Sequence, residues 1–275
     1  MKIRFIPFFT FLIVLGFGFQ SIAQFTPEEV AEREKWEEFL ETAKIIGQKQ
    51  QESREAVTEP WELTLEKNGV TRKALWKNAE GRMKGFMENW RWEIAAYRLD
   101  KHLGLNMVPP TVEKRFKGNR GSCQLWVDYW IKAEVKNEKK IKVPSYKVIY
   151  YNRATYLRWA WDNLIANKDR HAGNIFITKE WRIILPDHSR SFRTSNKFTK
   201  NLIYTEKHKE GPKIMKELPR AFVEKLESLN FELIRDIVGE YLTEKEINAV
   251  LLRRDLMLKV IDERIKKLGE HEVLY

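Results

Sequence analysis

The chain has 275 residues, 43% of them hydrophobic, with ten tryptophans and a formal net charge of +11. That length suffices for one large domain or one domain of two lobes with a proper core, and the apolar content excludes a disordered chain. The only cysteine is Cys123, which excludes an intramolecular disulfide, so the fold rests on its core alone.

The first residues, MKIRFIPFFTFLIVLGFGFQSIAQF, set Lys2 and Arg4 before an apolar run from Phe5 to Phe19, and Ser21-Ile22-Ala23 after it. This is the layout of a secretory signal peptide over residues 1–23, with cleavage expected after Ala23. The alternative, an uncleaved anchor, meets a run shorter than the ~20 apolar residues of a spanning helix. With one cysteine and no Asn-x-Ser/Thr sequon, an exported chain of this composition points to a bacterial periplasm or exterior. Loss of Lys2 and Arg4 leaves a charge of +9. Basic clusters at Lys114 to Arg120 and Lys136 to Lys142 then suit phosphates, anionic glycans or a lipid surface more than nucleic acid, unless each is simply a solvated face.

In chain order, Thr26, Pro27 and Glu29 form a capping box at the start of a helix, expected to occupy the N-terminal segment 24–56, with Val30, Trp36, Phe39, Leu40 and Ala43 at helical spacing. WELTLEKNGVTRKALWK alternates on both sides of Asn68-Gly69, a type I′ hairpin that ends at Lys77. WRWEIAAYRLDKHL reads as a helix from Trp90 to Leu103 carrying Glu93, stopped by Gly104 and Pro109-Pro110. Two strands with a turn at Gly118 to Gly121 follow, completing an antiparallel sheet with one helix against it. The remainder is largely helical, and Thr243 with Glu246 forms a second capping box.

Between two of these helices lies NKDRHAGNIFITKEWRIILPDHS. A helix ending near Ala166 delivers a loop with Asp169, Arg170, His171 and Asn174, a short hairpin follows, and its return brings Asp187 back beside the loop. Two carboxylates and an amide oxygen suit Mg²⁺ or Mn²⁺, which leave positions open for phosphate oxygens. Phosphoryl transfer asks for that set together with a lysine, which Lys77 supplies, paired with Glu93.

The ordered set Lys77, Glu93, DRHAGN and Asp187 resembles the atypical kinases, comprising phosphatidylinositol 3- and 4-kinases and the secretory-pathway kinases related to four-jointed and Golgi casein kinase. EIAAYRLDKHLGLNMVPPTV is similar to the secretory branch. The resemblance covers most of residues 57–192 and implies an α+β, two-lobed protein-kinase-like fold, with a small antiparallel-sheet N-lobe over 57–131 and a mainly helical C-lobe over 132–275. It implies Asp169 as the catalytic aspartate, Asn174 and Asp187 as metal ligands, Lys77 as the phosphate-binding lysine and Glu93 as its partner. Leu125, Trp126 and Val127 would meet adenine at the hinge, and the Asn68-Gly69 hairpin would cover the phosphates. Arg170 is expected to anchor the loop, and His171 either acts on the transferred group or braces the loop. Two departures stand out: Asp187-His188-Ser189 replaces the usual Asp-Phe-Gly, and the covering hairpin has one glycine.

The implied activity is transfer of the terminal phosphate of ATP to a hydroxyl of a protein, glycan or lipid, with the basic loops matching an anionic acceptor. Two other readings stay open. Asp169, His171, Asp187 and His188 could form the metal site of a hydrolase, and the altered Asp187-His188-Ser189 allows a pseudokinase that binds without transfer.

Overall fold

A computed structural model describes residues 25–51 and 59–275; the signal-peptide segment 1–23 lies outside the described residues. The capping box at Thr26 and Glu29 is formed, and it opens α1 (Pro27–Ala31), which is followed at once by α2 (Arg33–Thr42). The expected N-terminal helix stops there. Lys44–Gln50 is instead β1, paired antiparallel with β2 (Trp61–Lys67). Ala43 leaves the helix with extended backbone, and the β-branched pair Ile45-Ile46 suits the strand. Lys114 Nζ donates to the carbonyls of Leu40, Glu41 and Ala43, and so supplies the donors that end α2.

The hairpin is formed as the sequence predicts. β2 returns as β3 (Val70–Lys77), with Asn68 at φ 52° and Gly69 at φ 76°, the left-handed pair that a type I′ turn demands. A two-stranded ribbon follows, β4 (Glu80–Met83) and β5 (Phe86–Asn89), which the sequence reading did not identify. It runs directly into α3 (Trp90–Leu103), capped by the Asn89 side chain and closed by Gly104 at φ 73°. β6 (Thr111–Phe116) and β7 (Asn119–Leu125) meet at a tight turn through Lys117-Gly118, so Gly121 belongs to the strand and not to the turn. The five-stranded antiparallel sheet has the order β1-β2-β3-β7-β6. Its inner face buries Leu63, Leu65, Ala74, Trp76 and Cys123 against Phe39 and Leu40 of α2.

The second lobe is mostly helical and holds the larger core. β8 (Ile131–Lys132) leads into α4 (Ala133–Glu138) and then α5 (Val148–Leu164). β9 (Phe176–Ile177) and β10 (Ile183–Ile184) are the predicted short hairpin, and β8 pairs on its other edge. After α6 (Asn196–Thr199) come α7 (Arg220–Ser228), α8 (Phe231–Val238) and α9 (Glu244–Leu268), the last opened by the predicted Thr243/Glu246 box. Trp161, Leu164, Phe222, Leu226, Ile234, Val250 and Met257 fill this core. α3 is buried nearly all round and contributes Ile94, Ala95 and Leu99 to the same cluster, which joins the sheet lobe to the helical one. No helix among the described residues is long and apolar enough to cross a membrane.

Candidate active site

Lys77 is the last residue of β3, and its side chain is 8% exposed. An ammonium in that position needs anionic partners, and it has two: Nζ lies 2.7 Å from Glu93 Oε1 on α3 and 2.9 Å from Asp187 Oδ1 beyond β10. Burial works against the charge on Lys77, but the Asp187 and Glu93 carboxylates outweigh it and hold the lysine above its usual range. Burial pushes Glu93 up, with Lys77 opposing. Asp187 goes the other way: its partial burial is overcome by Lys77 and by hydrogen bonds from Lys77 and Ser189, which keep it well below the usual carboxylate range. Its carboxylate is 35% exposed and open to the cleft, whereas Glu93 is sealed in. The second Glu93 oxygen accepts from the backbone N–H of His188 at 2.8 Å, so one carboxylate ties α3 to both β3 and the segment after β10.

The loop that follows α5 brings the other groups to the same cleft. Asn167 Oδ1 accepts from the N–H of Asp169 at 3.0 Å, and its Nδ2 donates to the carbonyl of Asp187 at 3.4 Å. Asn174 Nδ2 donates to Asp187 Oδ2 at 3.4 Å. Asp187 itself sits at φ 59°, a left-handed turn that aspartate tolerates better than most residues. Asn174 and Asp187 therefore meet directly, and Asp169 is joined to Asp187 through Asn167.

Arg170 is not in the cleft. Its guanidinium is buried and donates to Asp162 (3.2 Å), to the carbonyls of Asn174 (2.9 Å) and Pro186 (2.5 Å), and to His188 Nε2 (2.9 Å). It is the internal strut that joins the loop to the end of the β9–β10 hairpin, and it touches no reacting group. His171 Nδ1 accepts from the N–H of Gly173 at 3.1 Å and closes the one-turn helix Ala172–Asn174.

The hydrolase set does not assemble. His188 is fully buried and its Nε2 receives Trp161 Nε1–H (3.2 Å) and Arg170, so the ring points into the core. Burial, with Arg170 adding to it, keeps this imidazole neutral. Among the described residues no three His, Cys, Asp or Glu side chains lie close enough to hold a metal ion.

The sequence reading missed Arg190. Its guanidinium bridges Asp169 Oδ1, at 2.9 Å, and the buried Glu88 of β5, and it stacks over the Phe86 ring at 4.1 Å. The signal was an arginine three residues after Asp187, but its partner lies on the unread ribbon. Leu125, Trp126 and Val127 leave β7 toward the second lobe; the first two N–H groups donate to the carbonyls of Pro110 (2.8 Å) and Lys73 (3.0 Å). With Trp36, Tyr129 and Arg182 they line a cavity of about 460 Å³. None of Lys77, Glu93, Asp169, Asn174 or Asp187 lines it.

A five-stranded antiparallel lobe, a helical lobe and a lysine–glutamate pair between them define the two-lobed kinase-like fold. Solved structures share it, among them these three. Hydra Fam20 with sugar has 14% identity over 91% of this chain and 94% of its own, with a TM-score of 0.63. The Golgi casein kinase has 15% identity over 92% of this chain and 79% of its own (TM-score 0.60), and its form with Mn/ADP bound has 15% over 92% and 80% (TM-score 0.61). No protein-family model and no curated protein matches the chain.

Proposed function

We propose that the chain is an exported phosphotransferase that moves the terminal phosphate of ATP to a hydroxyl of a protein, glycan or lipid acceptor. One observation carries the proposal: a single buried lysine joins Glu93 and Asp187 across the two lobes, with Asn174 and Asp169 on the same cleft.

In this reading Lys77, charged throughout the physiological range, exchanges its contact with Asp187 for the nucleotide phosphates while Glu93 holds it in place. Asp187 and Asn174 offer hard oxygen donors, since rotation of the Asn174 amide sets its oxygen beside the Asp187 carboxylate. Mg²⁺ or Mn²⁺ bound there would neutralise charge on the phosphate oxygens. Asp169 orients the acceptor hydroxyl and takes its proton as the hydroxyl oxygen attacks. Arg170 and His171 hold the loop in shape. Adenine would meet backbone carbonyls at Leu125, Trp126 and Val127. The Mn/ADP complex of Golgi casein kinase and the sugar complex of hydra Fam20 support this donor and a glycan among the acceptors.

A second reading is a pseudokinase. It draws on the Arg190 contact at 2.9 Å, which occupies Asp169 in an ion pair, and on the replacement Asp187-His188-Ser189. Both readings are tested by the thermal shift of the chain with ATP and Mg²⁺ or Mn²⁺, beside Asp187→Ala. At 100-fold excess over Kd, ligand adds about 2.7 kcal/mol to wild type. No metal-dependent rise would sink the ATP-kinase reading and leave the pseudokinase only as a binder of a protein partner. A rise without ATP consumption, or with consumption unchanged in Asp169→Asn, would sink the transferase reading.

A further inference from the structure

The two basic clusters are spent differently by the fold. In the first, Lys114 caps α2, Arg120 pairs with Glu113 and Glu240, and Lys117 lies over the Trp61 ring at 3.6 Å. These charges serve the protein itself. The second cluster, KNEKKIKVPSYK from Lys136 to Lys147, has five lysines against one glutamate, a net +4. Ile141 and Val143 turn inward and pack on the helical-lobe core, which leaves Lys140 and Lys142 facing outward beside the exposed Lys139. These three lysines have no ion pair among the described residues.

The same protrusion carries Tyr146, 81% exposed, and Ile149, 68% exposed, the two most exposed large hydrophobic residues among those described. They stand three residues apart at the entry to α5, so they share one side of the chain, and the half-exposed Val148 lies between them. The buried residues of α5 begin only at Ala154, one turn further on, so packing within the lobe gives the exposed Ile149 no reason to be apolar. Side chains exposed to this degree stand on a convex surface and not in a groove, which suits a soft partner better than one that must bring its own pocket.

We propose that this protrusion docks the protein on an anionic lipid bilayer. Ile149 and the body of the Tyr146 ring enter the headgroup boundary with the hydroxyl kept at the polar level, and Lys139, Lys140, Lys142 and Lys147 lie over the lipid phosphates. The protrusion is tied to the catalytic loop: Ala133 at the start of α4 donates its N–H to the carbonyl of Ile175, next to Asn174. Docking would therefore fix how the cleft faces the membrane. The surface is independent of the phosphotransferase reading and stands or falls without it.

Cys123 is buried, so Ile149→Cys offers one accessible thiol for an environment-sensitive fluorophore on the full chain. Vesicles of phosphatidylcholine with about 30% phosphatidylglycerol should raise and blue-shift its emission, phosphatidylcholine alone should not, and high salt should reverse the change. The combined variant Lys139→Gln, Lys140→Gln, Lys142→Gln should weaken the response on the order of 100-fold, about fivefold per lysine. In an unlabelled vesicle pull-down, Tyr146→Ser with Ile149→Ser should lower the bound fraction on the same vesicles; residues 1–24 are common to both proteins, so their contribution cancels. An unchanged emission on anionic vesicles at low salt overturns the proposal. So does a response retained by the triple lysine variant, or one given by duplex DNA and not by vesicles.

Discussion

The buried pair of Lys77 and Glu93 makes a quantitative demand on stability. Replacing Lys77 with Met removes the cation that Glu93 and Asp187 share and leaves a carboxylate 3% exposed without that counter-charge. Breaking a buried pair in this way costs about 3–5 kcal/mol, and proton uptake by Glu93, already pushed up by burial, absorbs part of it. We expect about 3 kcal/mol at pH 7. Glu93→Gln leaves Lys77 its contact with Asp187, but that carboxylate is partly open to solvent and substitutes only in part, so about 2 kcal/mol is expected. Together the two substitutions remove both charges, and the double variant should lose about 3 rather than 5 kcal/mol, a coupling of about 2 kcal/mol. Urea unfolding followed by tryptophan fluorescence, with all four proteins at pH 7 and pH 5, measures this. In Lys77→Met the folded state holds a raised Glu93 above its unfolded value, so its deficit should shrink as pH falls toward 5. Additivity within about 0.5 kcal/mol, together with a deficit independent of pH, would refute the reasoning.

Three further outcomes follow from the same structure. Arg190→Met should cost about 3 kcal/mol, since it strands Glu88, which is buried, and Glu88→Gln in the same chain should restore most of it; equal losses in urea unfolding of the single and double variants would count against the bridge. Gly121→Ala should destabilise by about 3 kcal/mol and weaken any ATP-induced thermal shift, because its Cβ would lie 2.5 Å from the Lys77 carbonyl oxygen and 2.6 Å from Trp76 Cε2. Wild-type behaviour in both respects would show that β3 yields at no cost. Burial pushes Asp100 up to about 6 against the pull of Arg33 and of the Met107 and Val108 N–H groups. Its folded value exceeds the unfolded ~3.9, so its contribution grows as pH falls from 7 to 4, by up to about 3 kcal/mol. The stability difference between wild type and Asp100→Asn should change by that amount over this window, and a constant difference would contradict it.

The parts of the site that the sequence displayed are those held by local rules. Asn68-Gly69 can turn only one way between alternating strands, which delivers Lys77 to a strand end. A helix, the loop that follows it and a two-stranded return bring Asp169, Asn174 and Asp187 into one short span of sequence, so their proximity needs no distant partner. Arg170 anchors the loop as the sequence reading expects, but the spacing that puts Asp169 in the cleft says nothing about which groups receive its neighbour. It is received by Asp162, Pro186 and His188, which come from three different segments.

The remaining differences have the same origin. Lys44–Gln50 continues a helical-looking segment, and it becomes a strand because β2 offers it an edge and Lys114, about 70 residues away, supplies the donors that stop α2. Glu88 and Arg190 look like ordinary surface charges until the β4–β5 ribbon folds over Asp169. Chain-local chemistry thus marked the Asn68-Gly69 and β9–β10 hairpins and the capped helices, and singled out Lys77, Glu93, Asp169, Asn174 and Asp187 as candidates. Tertiary structure alone decided which charges are shielded from water and by whom, because desolvation and pairing depend on groups that only the folded chain brings within a few ångströms.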